Sequence, residues 1–260
     1  MRTMMDEIFV GDAIAVRRIT VYLHRLVVVI HELKELLLSV RGACDPQVYY
    51  NDVRPWLRGS DSDPKQRKWI FEGLESVPGL RAPTELSGPS AGQSSLVHAL
   101  TIFLGVDVYT ATSPPPAASS SSSPPEEGSS TESNDPTPPS FLSRMLSYMP
   151  RHHRAFLLHL AANPLRLRDL VVSAADADLV ASYNSAVLAL KEFRDAHMII
   201  VALYILGPAS RVKKDGAVAG YYVVPKGTGG TDVVKFLKGV RDTTAKAVIS
   251  GIPDGAKTIP

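Results

Sequence analysis

The strongest hydrophobic periodicity in the chain runs from Tyr183 to Leu206, YNSAVLALKEFRDAHMIIVALYIL. Leu190, Phe193, Ile200, Val201 and Tyr204 recur at three- and four-residue intervals, the spacing that turns one stripe of a helix toward a core. His197 falls in the same stripe. Burying an imidazole without a polar partner costs on the order of a few kcal/mol, so this position needs an explanation. Either a nearby carbonyl satisfies it, or it ligates a metal or a haem iron, for which neutral imidazole is a common ligand.

The remaining pattern is also helical. Leu23, Leu26, Val27, Ile30, Leu33 and Leu37 form a wide apolar face, predicting one long helix or two joined ones over Asp12–Arg41, stopped at Gly42. The ten residues before it read as a leader. So early a start for a core-type helix suggests a fragment or a shortened chain. Asp45-Pro46 opens a second helix that carries Tyr49, Tyr50 and Arg54, and Pro55 ends it near Trp56-Leu57. Gly59–Arg67 reads as a polar loop and Lys68–Leu86 as irregular chain. A glycine-serine turn then leads into a helix over Gln93–Leu104. Further helices are expected at Phe141–Tyr148, Arg151–Ala162, Pro164–Ser173 and Asp176–Leu206. Ala209–Ala219 reads as a basic loop, Tyr221–Val224 as a short extended piece, and Val233–Ile249 as a last amphipathic helix. No alternating βα units and no repeat of 20 to 50 residues stand out. The expected fold is an all-α bundle over residues 1–260.

Composition changes this picture in one place. Residues 111–140 hold eight of the chain's 20 prolines and a five-serine run, with almost no large apolar side chain. Such a segment cannot offset its ordering entropy by burial and is expected to be a disordered insertion within the domain, or a linker between two. Elsewhere the 45% hydrophobic and 21% charged content is that of a globular protein. Lys plus Arg number 28 against 26 for Asp plus Glu, leaving no net field for nucleic acid or an anionic membrane. Cys44 is the sole cysteine, which excludes an internal disulfide and a cysteine zinc cluster and fits a reducing compartment. Asp6 and Glu7 interrupt any signal peptide. The longest apolar run, Met198–Leu206, is about half of the roughly 20 residues a membrane span needs. A monomeric cytoplasmic protein is expected.

Gly88-Pro89-Ser90-Ala91-Gly92 matches the G-x-S-x-G elbow of serine hydrolases. Arg81–Ser87 does not form the strand that motif requires, and no parallel sheet is predicted to hold it. Gly88 is read instead as letting backbone approach a ligand at the following helix N-terminus. KGTGGTD, Lys226–Asp232, lacks the GK[ST] ending of a phosphate loop. It reads as a flexible lid or as a plain connection between helices. His152 and His153 point to different sides of a helix, and His98 and His159 have no companions at metal spacing. Tyr50 and Arg54 lie one helical turn apart with Tyr49 at the edge. This suits an aromatic ligand bearing a carboxylate; the commoner origin of such spacing is a tyrosine pair in the core with an arginine in a surface salt bridge.

Taken in order, DPQVYYNDVRPWL, SGPSAGQSSLVHALTIFLGV, MLSYMPRHHRAFLLHLAANP, EFRDAHMIIVALYILGPAS and KGTGGTDVVKFLKGVRDTT resemble the large helical domain of indoleamine 2,3-dioxygenase. The resemblance implies a haem b protein that adds both atoms of dioxygen across the indole C2–C3 bond of L-tryptophan, giving N-formylkynurenine. It implies His197 as the proximal iron ligand and Arg194 beside a haem propionate. Ser90 and Ala91 would border haem and substrate, and Arg54 would hold the substrate carboxylate. Tyr49 and Tyr50 match two phenylalanines of the family's pocket, and Thr228, Gly229 and Gly230 would form the closing loop. Two departures accompany it. Thr101 stands where the best-known members carry an aspartate, and the family's N-terminal small domain has no counterpart. The expectation is therefore the proximal half of a dioxygenase, the alternative being a non-catalytic helical fragment with weak or no haem binding.

Overall fold

The computed structural model describes residues 1–60, 63, 69–79, 81, 86–106, 141–214, 227 and 232–250. The expected insertion at 111–140, the extended piece at Tyr221–Val224 and most of Lys226–Asp232 lie outside them. Among the described residues there is no strand, and the fold is all-α. The α-helices are α1 (Arg2–Val10), α2 (Ala13–Ala43), α3 (Pro46–Val48), α4 (Ser95–Phe103), α5 (Phe141–Leu146), α6 (Arg151–Ala162), α7 (Leu167–Ala174), α8 (Ala177–Val201), α9 (Gly207–Lys214) and α10 (Val233–Lys246).

Four aspartates start helices in the same way. Asp12, Asp45, Asp176 and Asp232 each accept a hydrogen bond from a backbone N–H in the first turn of α2, α3, α8 and α10. Such a cap stabilises by about 1 kcal/mol. The long helices α2 and α8 pack along one another, with α10 against α8, α1 on α2, and α4 on α6. Ile19, Leu23 and Ile30 of α2 meet Leu179, Tyr183, Val187 and Leu190 of α8 in a single core cluster. Tyr183 is buried with its polar end satisfied: the hydroxyl donates to the Leu104 carbonyl at 2.6 Å and accepts from Arg168 at 3.0 Å.

Three expectations need correction. The ten-residue leader is helix α1, which buries Met4 and Ile8 one turn apart and ends at Gly11 with φ 67°. Residues 209–214 of the expected basic loop belong to α9; Pro208 sits in its first turn, where a missing N–H costs nothing. Two stretches expected as ordinary helix are π-helical, Tyr49–Val53 and Ala202–Leu206. Each is closed by an N–H bonded five residues back, Arg54 to Tyr49 and Gly207 to Ala202. The next residue in each case is a proline, Pro55 or Pro208. Proline offers no N–H to continue the ordinary ladder, and the widened turn precedes it both times.

Candidate functional site

Helix α8 carries the centre of the site. His197 is half-buried, and its imidazole forms no hydrogen bond to any described residue. Burial lowers its pKa below the ordinary 6.5, so it is neutral and able to ligate at neutral pH. The carbonyl partner that a purely structural histidine would need is missing among the described residues.

Arg194 lies one turn earlier and is 7% exposed. Burial pushes its pKa down to about 10. It donates to the Val240 carbonyl at 2.9 Å, to Thr101 Oγ1 at 2.7 Å and to the Thr244 hydroxyl. Its Nε is buried without a partner, and no described carboxylate pairs with it. Thr101, the position expected to be acidic in the family, thus supplies a neutral hydroxyl where an aspartate would supply a counter-charge. A buried cation held only by neutral groups favours an anionic ligand.

The other sequence-predicted residues among the described ones are placed by contacts between neighbouring segments. Ser90 caps a short 3-10 turn, Ala91–Gln93: its hydroxyl accepts from the Gly92 N–H at 3.2 Å, and Gln93 Oε1 accepts from the Ser90 N–H at 3.3 Å. That capping box accounts for the serine, and the absence of a sheet among the described residues leaves no nucleophile elbow. His98, read as ordinary from sequence, is 4% exposed, and its Nε2 lies 2.7 Å from the Gly92 carbonyl. Burial first, and then the charge of Arg194, lower the His98 pKa. The Ser90–Gln93 turn is therefore tied to α4, and α4 to Arg194 through Thr101. A buried polar residue among Leu96, Ala99 and Leu100 was the sequence signal that could have singled out His98.

Gly88 makes a close approach to the chain at Leu57–Gly59. A Cβ on Gly88 would run into the Leu57 carbonyl, and one on Gly59 into the Leu86 carbonyl and Gly88 itself. The crossing is fixed beside it by the Ser60 N–H donating to Leu86 at 2.7 Å. Gly88→Ala is expected to destabilise the protein by about 1–3 kcal/mol, the range for overpacking, read as a lower midpoint in urea denaturation. An unchanged midpoint would contradict the crossing.

This crossing brings the Ser90 turn to the segment holding Tyr49, Tyr50 and Arg54. Arg54 is 5% exposed, not a surface residue, and its guanidinium lies 5.3 Å from the Tyr50 ring centre. Desolvation, then the nearby charge of Arg58, lower its pKa. Tyr49 meets Tyr204 edge-on at 5.7 Å, and Tyr204 follows His197 by two turns along the same rod of helix. Thr228, Gly229 and Gly230 lie outside the described residues.

Among the described residues no three His, Cys, Asp or Glu side chains converge to hold an ion. His197 would thus be a lone protein ligand, which suits a porphyrin that supplies four nitrogens of its own. An imidazole and a guanidinium one turn apart, the first without a hydrogen-bond partner and the second without a carboxylate among the described residues, fit an iron and an acidic periphery.

The described residues thus form a helical scaffold in which a half-buried imidazole lies one turn from a buried guanidinium. The sequence profile of the family described as indoleamine 2,3-dioxygenase matches residues 1–247. Relatives include indoleamine 2,3-dioxygenase 1 of Mus musculus, 31% identical over 88% of this chain and 50% of the relative. Indoleamine 2,3-dioxygenase 2 of the same organism is 32% identical over 87% of this chain and 49% of its own length. A protein named myoglobin from Haliotis madaka is 27% identical over 85% of this chain and 49% of its own. The chain belongs to the indoleamine 2,3-dioxygenase family. It spans about half the length of the curated relatives it matches. Among the described residues no helix is long and apolar enough to cross a membrane.

Proposed function

We propose that this chain binds haem b through His197 and serves the dioxygenation of L-tryptophan to N-formylkynurenine, in the cytoplasm. The observation that carries the reading is the pair on α8: an imidazole with no hydrogen-bond partner and a buried guanidinium with no counter-charge among the described residues, one turn apart. His197 would hold the iron and Arg194 a propionate. Bound haem supplies the activation of dioxygen; the chain's residues supply position. Arg54, buried against the Tyr50 ring, would accept the substrate carboxylate in a forked contact, with Tyr49 and Tyr50 flanking the indole. Ser90 and Ala91 would border the haem, and Thr228, Gly229 and Gly230 would close the site and exclude water.

The test is turnover by haem-reconstituted protein supplied with L-tryptophan, dioxygen and a reductant. Formation of N-formylkynurenine in proportion to haem content is expected. The neutral Thr101 beside Arg194 favours one second reading, a non-catalytic helical member of the family with weak or no haem binding. A protein that takes up little haem, or that leaves tryptophan intact when loaded, would decide for that reading.

A further inference from the structure

We infer that Tyr204 is a positioning residue that sets where Arg54 meets a ligand carboxylate, by clamping the start of the segment that carries Arg54 onto the helix that carries His197. The inference rests on the proposed function for its ligand, and on geometry of its own. Tyr204 is 3% exposed and sits inside the second π-turn. Its hydroxyl lies 2.7 Å from the Cys44 carbonyl and 3.1 Å from the Val40 carbonyl, donating to the end of α2. Its ring meets Tyr49 edge-on, with 82° between the planes.

Of residues 45–57, Arg54 is buried but no apolar side chain is. Val48, Val53 and Trp56 are all exposed, Trp56 at 87%. A stretch with little apolar burial is free to shift unless its ends are fixed. Its far end is fixed by the backbone crossing at Gly59 and Gly88. Its near end is fixed where Tyr204 holds Cys44, next to the Asp45 cap of α3. Between these ends Tyr50 and Arg54 ride on the first π-turn and its continuation. The two π-turns therefore face one another through Tyr49 and Tyr204, and the widened turns place those two rings in contact.

Tyr204→Phe removes the hydroxyl and keeps the ring. Haem-reconstituted protein, unaltered and Y204F, would be titrated with L-tryptophan and separately with tryptamine, which lacks the carboxylate, following the haem absorbance. Haem content and the circular dichroism melt serve as controls. The expected result is a roughly 3- to 30-fold weaker affinity for L-tryptophan in Y204F, with tryptamine affinity unchanged. Equal weakening for both ligands would show a general structural effect and overturn the inference, as would two superimposable L-tryptophan titrations. If the unaltered chain binds haem but shows no preference for L-tryptophan over tryptamine, the substrate role of Arg54 fails and the inference with it. Should Y204F not fold, hydrogen exchange on the unaltered chain takes its place. L-tryptophan, and not tryptamine, should then slow exchange at the amides of residues 45–57, and equal protection by both overturns the inference.

Discussion

His197→Gly is expected to abolish the Soret band of the haem-reconstituted protein, and free imidazole in the buffer is expected to restore much of it. The substitution removes the only neutral, unpartnered imidazole on the described face of α8 and leaves space of the same shape. Exogenous imidazole can occupy that space and ligate in its place. Stability should fall by about 1 kcal/mol, the cost of a glycine inside a helix, and not by more, because the imidazole forms no hydrogen bond to a described residue whose loss would strand a buried group. Circular dichroism of the variant without haem separates this from unfolding. A Soret band of undiminished intensity in His197→Gly would remove His197 as the ligand.

Arg54→Ala is expected to raise the KM for L-tryptophan while leaving haem content unaltered. A hydrogen bond to a charged group is worth about 1.5–3 kcal/mol, so the loss corresponds to roughly 10- to 150-fold. The effect should fall on binding because Arg54 belongs to the segment around the first π-turn, whereas His197 and Arg194, the proposed haem contacts, belong to α8. The structure strengthens this expectation over the sequence. Spacing alone allowed Arg54 to be a surface residue, whereas it is 5% exposed beneath an aromatic ring. Steady-state kinetics with matched haem content checks it, and an unchanged KM would take Arg54 out of substrate binding.

Much of the helical frame was legible in the sequence because it rests on apolar periodicity. The stripe of Leu190, Val201 and Tyr204 is buried as its spacing requires, and the aspartate caps mark where α2, α3, α8 and α10 begin. Helix α1 escaped because only Met4 and Ile8 are fully buried, too few to form a readable stripe in nine residues. The π-turns escaped because they depend on which carbonyl a single N–H finds ahead of a proline, a choice that hydrophobic pattern does not encode. The site divides in the same way. His197 stood out as a polar residue in an apolar stripe. Arg194 did not, since its lack of a counter-charge is a property of Thr101, Val240 and Thr244, which come together only in three dimensions. The partner of Gly88 escaped for a related reason: a glycine announces a close approach but not what approaches, and here the chain at Leu57–Gly59 does.

The proposed function depends on this chain holding a porphyrin at one place through one histidine. Titration of the haem-free protein with haemin, followed by Soret absorbance, measures that directly. The expected curve breaks sharply at a single equivalent, and the spectrum loses its histidine-ligated form in His197→Gly. A linear rise with no break, identical in the two proteins, would contradict it.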